Sequence, residues 1–383
     1  MNNTILKELF ESSKCKDLLK TIENKKSPIV ISGLTGVFET ELISAIVDNT
    51  KRPILIITYN EIQAQKLVED FKFFTDKVVF MPKKEIVTYD YVAESKDLPY
   101  ERIEILNKIY KNKNQIIVTS IETVLQKMIS KTALYKNTLN FKIGESCNLE
   151  ETKQKLVNLG YQRFDLIDGR GQFSVRGDII DISLNDTQGI RIELWGDEID
   201  SIRVFNIITQ RSIENKDEIE IFPAHEYILD LPLGDVIKNI KEKIYNENLA
   251  EKVEEDIEKI QNGDYISKID RYFDSFYLEQ ETLLDYLDKN YIVFIDEIGK
   301  VKSRYQSIET DNENTIKAII EKERIVPDAL KNYLSEEEFE DKINLYQNVL
   351  LEKLDNSFKS GTEQFDFYCR DINYFKSTLD LFI

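Results

Sequence analysis

Two short stretches together have the residue types of a nucleotide site. "GLTGVFET" (33–40) follows the apolar run "PIVIS" and leads into "ELISAIV", the strand–turn–helix order in which a phosphate loop is found. The pattern wanted is G-x-x-x-x-G-K-[ST]. Gly33 and Thr40 are in register, but Phe38 stands where the second glycine should be and Glu39 where the lysine should be. In a working loop the lysine and backbone N–H groups neutralise phosphate charge and Thr40 would hold Mg²⁺. Glu39 reverses the key charge, and Phe38 obstructs the close backbone approach that glycine allows. The second stretch, "VFIDE" (293–297), is an apolar strand delivering Asp296 and Glu297 at its C-terminal end, where ATPases hold Mg²⁺ and position water. Together with the G-x-T-G turn of Gly33, Thr35 and Gly36, it suggests the frame of an ATPase site that has lost its chemistry. A plain strand–helix turn is the alternative.

A third stretch could bind rather than catalyse. In "GIRIELW" the alternation puts Ile190, Ile192 and Leu194 on one face and Arg191, Glu193 and Trp195 on the other. The apolar set is the inward one. The outward set holds the only tryptophan of the chain beside an arginine, and these residue types dominate protein–protein hot spots. Arg176 precedes Gly177 in the nearby "FSVRGDIID", where a switch of the inward set from Phe173 and Val175 to Ile180, Ile182 and Leu184 predicts a bulge at Gly177. The alternative is a tryptophan half-covered by a helix of its own module. Because the inward set is untouched, substituting Arg191 or Trp195 is expected to leave folding unchanged.

The elements that position these residues follow from periodicity. Up to about residue 130, "PIVIS", "RPILIITY", "KVVFM" and "NQIIVTS" read as buried parallel strands. Helical patterns alternate with them, such as "NEIQAQKLVEDFKFF", which sets Leu67, Phe71 and Phe74 on one face behind an Asn60 cap. This is an α/β fold with a mostly parallel sheet. After about residue 131 the period falls to 2, and "QFSVRGDIIDISL", "GIRIELWGDEIDSIRVF" and "DEIEIFP" predict a small β-rich module with a tight turn at "GDE". The helix "LEETKQKLVNLG" precedes it and stops at Gly160. From about residue 234 come acidic helices, then "NYIVFIDEIG" as one more buried strand, which should share a sheet with "PIVIS". "NENTIKAIIEKERIV" and "EEFEDKINLYQNVLLEKL" read as further helix. No internal repeat stands out. The chain stops at "YFKSTLDLFI", an apolar end that reads as a fragment of something longer.

Composition narrows the classes. The 383 residues, 42% hydrophobic with 13 glycines and 7 prolines, suit two or three globular domains. Cys15, Cys147 and Cys369 lack metal or disulfide spacing, as in a reducing cytoplasm. The single histidine, His225, rules out a zinc or catalytic site that needs two, and a structural role is expected for it. No run has signal-peptide or membrane-spanning character. Of the net charge of −19, residues 214–383 carry the whole excess with 40 acidic against 21 basic side chains, which argues against a broad grip on nucleic acid there.

The run "GYQRFDLIDGRGQFSVRGDIIDISL…GIRIELWGDEIDSIRVFNIITQRSI…IEIFPAHE" closely resembles the inserted domain shared by the excision-repair protein UvrB and the transcription-repair coupling factors (Mfd). "YDYVAESKDLPYERIEIL" and "LLDYLDKNYIVFIDE" are also similar to the coupling factors, so the resemblance covers most of residues 25–300. UvrB-like proteins keep an intact phosphate loop and a long aromatic hairpin, whereas this chain has the spoiled loop and too few residues between Tyr91 and Glu101. The resemblance is therefore to the N-terminal UvrB-homology region of the coupling factors. It implies a helicase-like domain of P-loop NTPase type in two parts, 1–130 and 214–345, split by a UvrA-binding domain at 131–213. Residues 346–383 would be a linker or the start of a following domain. It implies UvrA as partner, contacted through Arg176, Arg191 and Trp195, the last often Phe in relatives. In the full-length family RNA polymerase and double-stranded DNA are partners, and the ATP-driven, Mg-dependent translocase lies outside these residues. For this segment no catalysis, cofactor or metal is implied, and a monomer in the bacterial cytoplasm is expected. A UvrB-type ATPase and an autoinhibitory structural arm are the other readings.

Overall fold

The computed structural model describes residues 12–34, 36–85, 97–111, 116–228, 230–262, 269–353 and 362–367. Thr35, residues 86–96 (which include Tyr91), Cys369 and the terminal "YFKSTLDLFI" lie outside the described residues.

Four early strands, β1 (Ile29–Ser32), β2 (Ile54–Thr58), β3 (Val78–Met81) and β4 (Ile116–Ser120), form where the apolar runs predict them. They are followed by β5 (Met128–Ile129), β6 (Leu139–Lys142), β7 (Gln162–Arg163), β8 (Gln172–Arg176), β9 (Ile179–Ser183) and β10 (Gln188–Trp195). The remaining strands are β11 (Glu198–Asn206), β12 (Ser212–Lys216), β13 (Glu218–Ile221), β14 (Gln280–Glu281), β15 (Ile292–Asp296), β16 (Gln347–Glu352) and β17 (Glu363–Asp366).

The main sheet has seven parallel strands in the order β17-β1-β16-β15-β2-β4-β3. Its inner strands are buried on both faces because helices cover both. Ile29, Ile31, Ile54, Ile56, Phe294 and Val349 face the helices Ser13–Glu23, Val37–Thr50 and Glu61–Phe71. Val30, Leu55, Ile57, Val293 and Ile295 face the opposite layer, which includes Leu98–Lys111 and Glu247–Asn262. The Asn60 side chain caps its helix by accepting from Gln63 N at 2.8 Å. The strand carrying Asp296 does share the sheet of β1, so the chain between β4 and β15 leaves that sheet and returns to it.

The excursion builds the β-rich module: a six-stranded sheet, β12-β11-β10-β9-β8-β7, beside the β6–β13 pair. Its named strands run from Leu139 to Ile221, later at both ends than the expected 131–213. The helix Lys131–Lys136 instead packs Ala133 and Leu134 into the α/β core. The helix Leu149–Asn158 stops before Gly160, whose φ of +86° ends it as expected. Inside the module Phe173, Ile180, Ile182, Ile190, Ile192 and Leu194 form the core, as the alternation requires.

Two expectations are corrected. Gly177 is not a bulge: Arg176 pairs with Ile179, so Gly177 and Asp178 form a two-residue hairpin turn with glycine at the position of positive φ (+60°). A turn reverses the strand and so also explains the switch in the inward set. Of the range 346–383 expected as a linker or the start of a following domain, the described strands belong to the main sheet, β16 lying between β1 and β15 and β17 outside β1. The helix Glu336–Ile343 ends before "QNVLLE", all six residues of which are buried. A short apolar run of this kind fits either a buried helix or a strand inside a parallel sheet.

Candidate functional site

The outward face of the module is built from directly opposed residues. Asp181 on β9 sits opposite Arg191 on β10, which sits opposite Arg203 on β11. The Asp181 carboxylate is fully buried and is bound by two arginines. Arg191 donates from Nε to Oδ1 at 2.7 Å and from Nη2 to Oδ2 at 2.8 Å, and Arg176 donates from Nη2 to Oδ2 at 2.8 Å. The Arg191 guanidinium also lies 4.5 Å from the centre of the Phe205 ring and reaches Gln210 Oε1 at 3.0 Å. Beside it Glu193 pairs with Arg203 and accepts from Ser201 at 3.0 Å. Trp195 ends β10 at the Gly196–Asp197 turn with 84% of its surface exposed, so the half-covered alternative fails.

The structure therefore brings Arg176 and Arg191 together, with Trp195 farther along the same face. It revises one expectation: Arg191 is only about a fifth exposed and holds a buried carboxylate, so truncating it disturbs the fold as well as the surface. Asp181 is the member that the sequence reading missed. The alternation that turns Ile180 and Ile182 inward turns Asp181 outward, and this signal was available.

The second site gathers Gly33, Gly36, Glu39 and Thr40 near the ends of β15 and β16. Gly33 has φ +74°, and a Cβ there would lie 1.9 Å from the carbonyl oxygen of Phe367, so the adjoining β17 end requires glycine. Thr40 is buried and donates to Val37 O at 3.0 Å within its own helix. Glu39 is buried in the first turn of that helix, and its Oε1 finds no hydrogen-bond partner among the described residues. Burial, reinforced by the Asp296 charge, pushes the Glu39 carboxyl up to about 8. Asp296 is raised as well, chiefly by burial, although Lys353 and a 3.1 Å hydrogen bond from Gln63 oppose the rise. Glu297, at φ +53°, pairs with Lys300 and lies 3.9 Å from Lys353. Lysine thus enters from the end of β16, where it answers carboxylates.

A raised carboxyl has a definite consequence for stability. Below the ordinary 4.5 the group is protonated in the folded and unfolded chain alike. Between there and about 8 only the unfolded chain releases the proton, so stability is lost as pH rises. Glu39→Gln is expected to be more stable than the parent at pH 8, by at least ~1 kcal/mol, and no more stable at pH 4. Thermal melts at the two pH values check this, and a gap independent of pH would contradict it.

Where the module returns to the α/β body, His225 packs over Gly160 and accepts from Tyr227 N at 3.1 Å. Burial lowers it to about 4, as suits the expected structural role. Next to it Glu226 joins Arg102 (Nε to Oε1, 2.5 Å) and Lys84 (Nζ to Oε2, 3.4 Å), all three buried, with Lys84 Nζ 3.5 Å from the centre of the Phe273 ring. No described helix is long and apolar enough to cross a membrane.

Residues 139–227 match the family model of the UvrB interaction domain. Over 334 residues the chain is 28% identical to the transcription-repair-coupling factor of Bacillus subtilis (strain 168), covering 83% of this chain and 28% of that protein. Over 311 residues it is 30% identical to the transcription-repair-coupling factor of Staphylococcus aureus (strain bovine RF122 / ET3-1), covering 76% and 26%. The chain thus spans about a quarter of the length of the curated relatives it matches.

Proposed function

Since this chain is a relative of the transcription-repair-coupling factors and carries a UvrB interaction domain, we propose that it is a non-catalytic recruitment module that binds the excision-repair protein UvrA. The single observation that carries the reading is the exposed Trp195 on the same face as the Arg176–Asp181–Arg191 cluster. An exposed indole on the same face as guanidiniums is the composition of an interface anchor, since the ring can fill a pocket while arginine pairs bidentately with carboxylates. In the full-length protein a translocase driven by ATP would displace stalled RNA polymerase on double-stranded DNA, and this module would bring UvrA to that place. The setting is the bacterial cytoplasm, and the module acts as a monomer.

The seven-stranded domain is a vestigial helicase-like frame. Its glycine at 33 is explained by Phe367, its threonine at 40 bonds within its helix, and its Glu39 meets Asp296 where a lysine would meet phosphate. With its carboxyl raised to about 8, Glu39 is mostly neutral at pH 7 and offers phosphate none of the positive charge that a lysine supplies, and once ionised it would repel phosphate. Calorimetric titration with Mg-ATP is expected to show no micromolar binding, and a micromolar isotherm would favour the rival, a UvrB-type ATPase. Capture of purified UvrA by this chain tests recruitment itself. Failure of capture would leave the autoinhibitory arm as the better reading.

A further inference from the structure

We propose that Asp181 is a positioning residue of the docking face: it holds Arg176 in the orientation that meets the partner, while Arg191 acts as its anchor. This rests on the recruitment reading above. The division of labour follows from the hydrogen bonds. Arg191 commits Nε and Nη2 to Asp181, shares Nη2 with Gln210 and stacks on Phe205, which fixes it from three sides. It is only about a fifth exposed, whereas the Arg176 side chain is about half exposed and gives Asp181 a single Nη2–H. Arg176 is thus the arginine with surface left for a partner.

An arginine side chain on a strand end has rotamer freedom that binding would have to remove. The bond to Asp181, itself locked by the bidentate Arg191, removes that freedom before the partner arrives. Pre-organisation of this kind raises affinity without adding a contact. Asp181 can supply it because the Arg191 fork leaves a position on Oδ2 for a second donor.

The test is a titration of UvrA with the full chain and four variants: Arg176→Ala, Arg176→Lys, Asp181→Asn, and Asp181→Asn with Arg176→Ala. Arg176→Lys keeps the charge but loses the planar fork, and it alters only a half-exposed side chain. It is expected to weaken binding about as much as Arg176→Ala, roughly tenfold. Asp181→Asn is expected to lose a similar factor, and the double variant to be no weaker than Arg176→Ala alone. Wild-type-like affinity of Arg176→Lys, or losses that multiply in the double variant, would overturn the proposal. The lysine variant decides alone if Asp181→Asn does not fold. Absence of binding by the parent chain overturns recruitment and this inference together, whereas equal affinity of the parent and Arg176→Lys overturns only the inference.

Discussion

Replacing Glu226 with glutamine is expected to destabilise the chain by about 3–5 kcal/mol, the cost of stranding buried charge. Glu226 is 2% exposed, and it is the carboxylate shared by Arg102 and Lys84, which are 1% and 6% exposed. Burial alone would raise its carboxyl, but the two cations outweigh burial and hold it at about 2, against an ordinary 4.5. A lowered carboxyl stabilises the fold above about 4.5, and that stability is lost as pH falls towards 2. At about 1.4 kcal/mol per pKa unit the pairing contributes roughly 3 kcal/mol at neutral pH. Glutamine keeps the shape and removes the charge, which leaves two buried cations without their counter-ion. Equilibrium denaturation at pH 7 reads the loss, and at pH 2 the gap between parent and variant should narrow. Unchanged stability at pH 7 would mean that water reaches the triad and screens it.

This triad shows where sequence reasoning stops. Glu226 follows the module and Arg102 lies in a helix 124 positions earlier, so no local spacing relates them. The same limit hid the role of Lys353, which answers Glu39 and Glu297 only because β16 lies between β1 and β15. What was legible depended on strict local periods. The two-residue alternation of "GIRIELW" identified the inward Ile190, Ile192 and Leu194 and the outward Trp195. The buried runs identified β1 to β4 and β15, since a parallel strand covered on both faces has few other ways to look. β16 was missed because "NVLLE" is short enough to continue the preceding helix on paper. The alternation places Arg191 on the outward face, but a face does not fix exposure. Its burial depends on Asp181, Phe205 and Gln210, which three other parts of the chain supply.

Trp195→Ala is expected to abolish most of the affinity for UvrA while leaving the fold intact. Trp195 is 84% exposed, so its removal takes little from the module core. Surface substitutions of this kind usually fall within about 0.5 kcal/mol. A buried indole at an interface is worth about 2 kcal/mol or more, or roughly 30-fold in affinity. Trp195 also separates cause from consequence better than Arg191 does, because Arg191→Ala would free the buried Asp181 carboxylate from its bidentate partner and confuse binding with stability.

The most direct measurement of the central claim is therefore a paired one: a calorimetric titration of UvrA with the parent chain and with Trp195→Ala, beside thermal melts of both. The account predicts measurable binding by the parent, a loss of about 30-fold or more in the variant, and melting temperatures that agree. Equal affinities with equal melting temperatures would contradict it and remove this face as the docking surface.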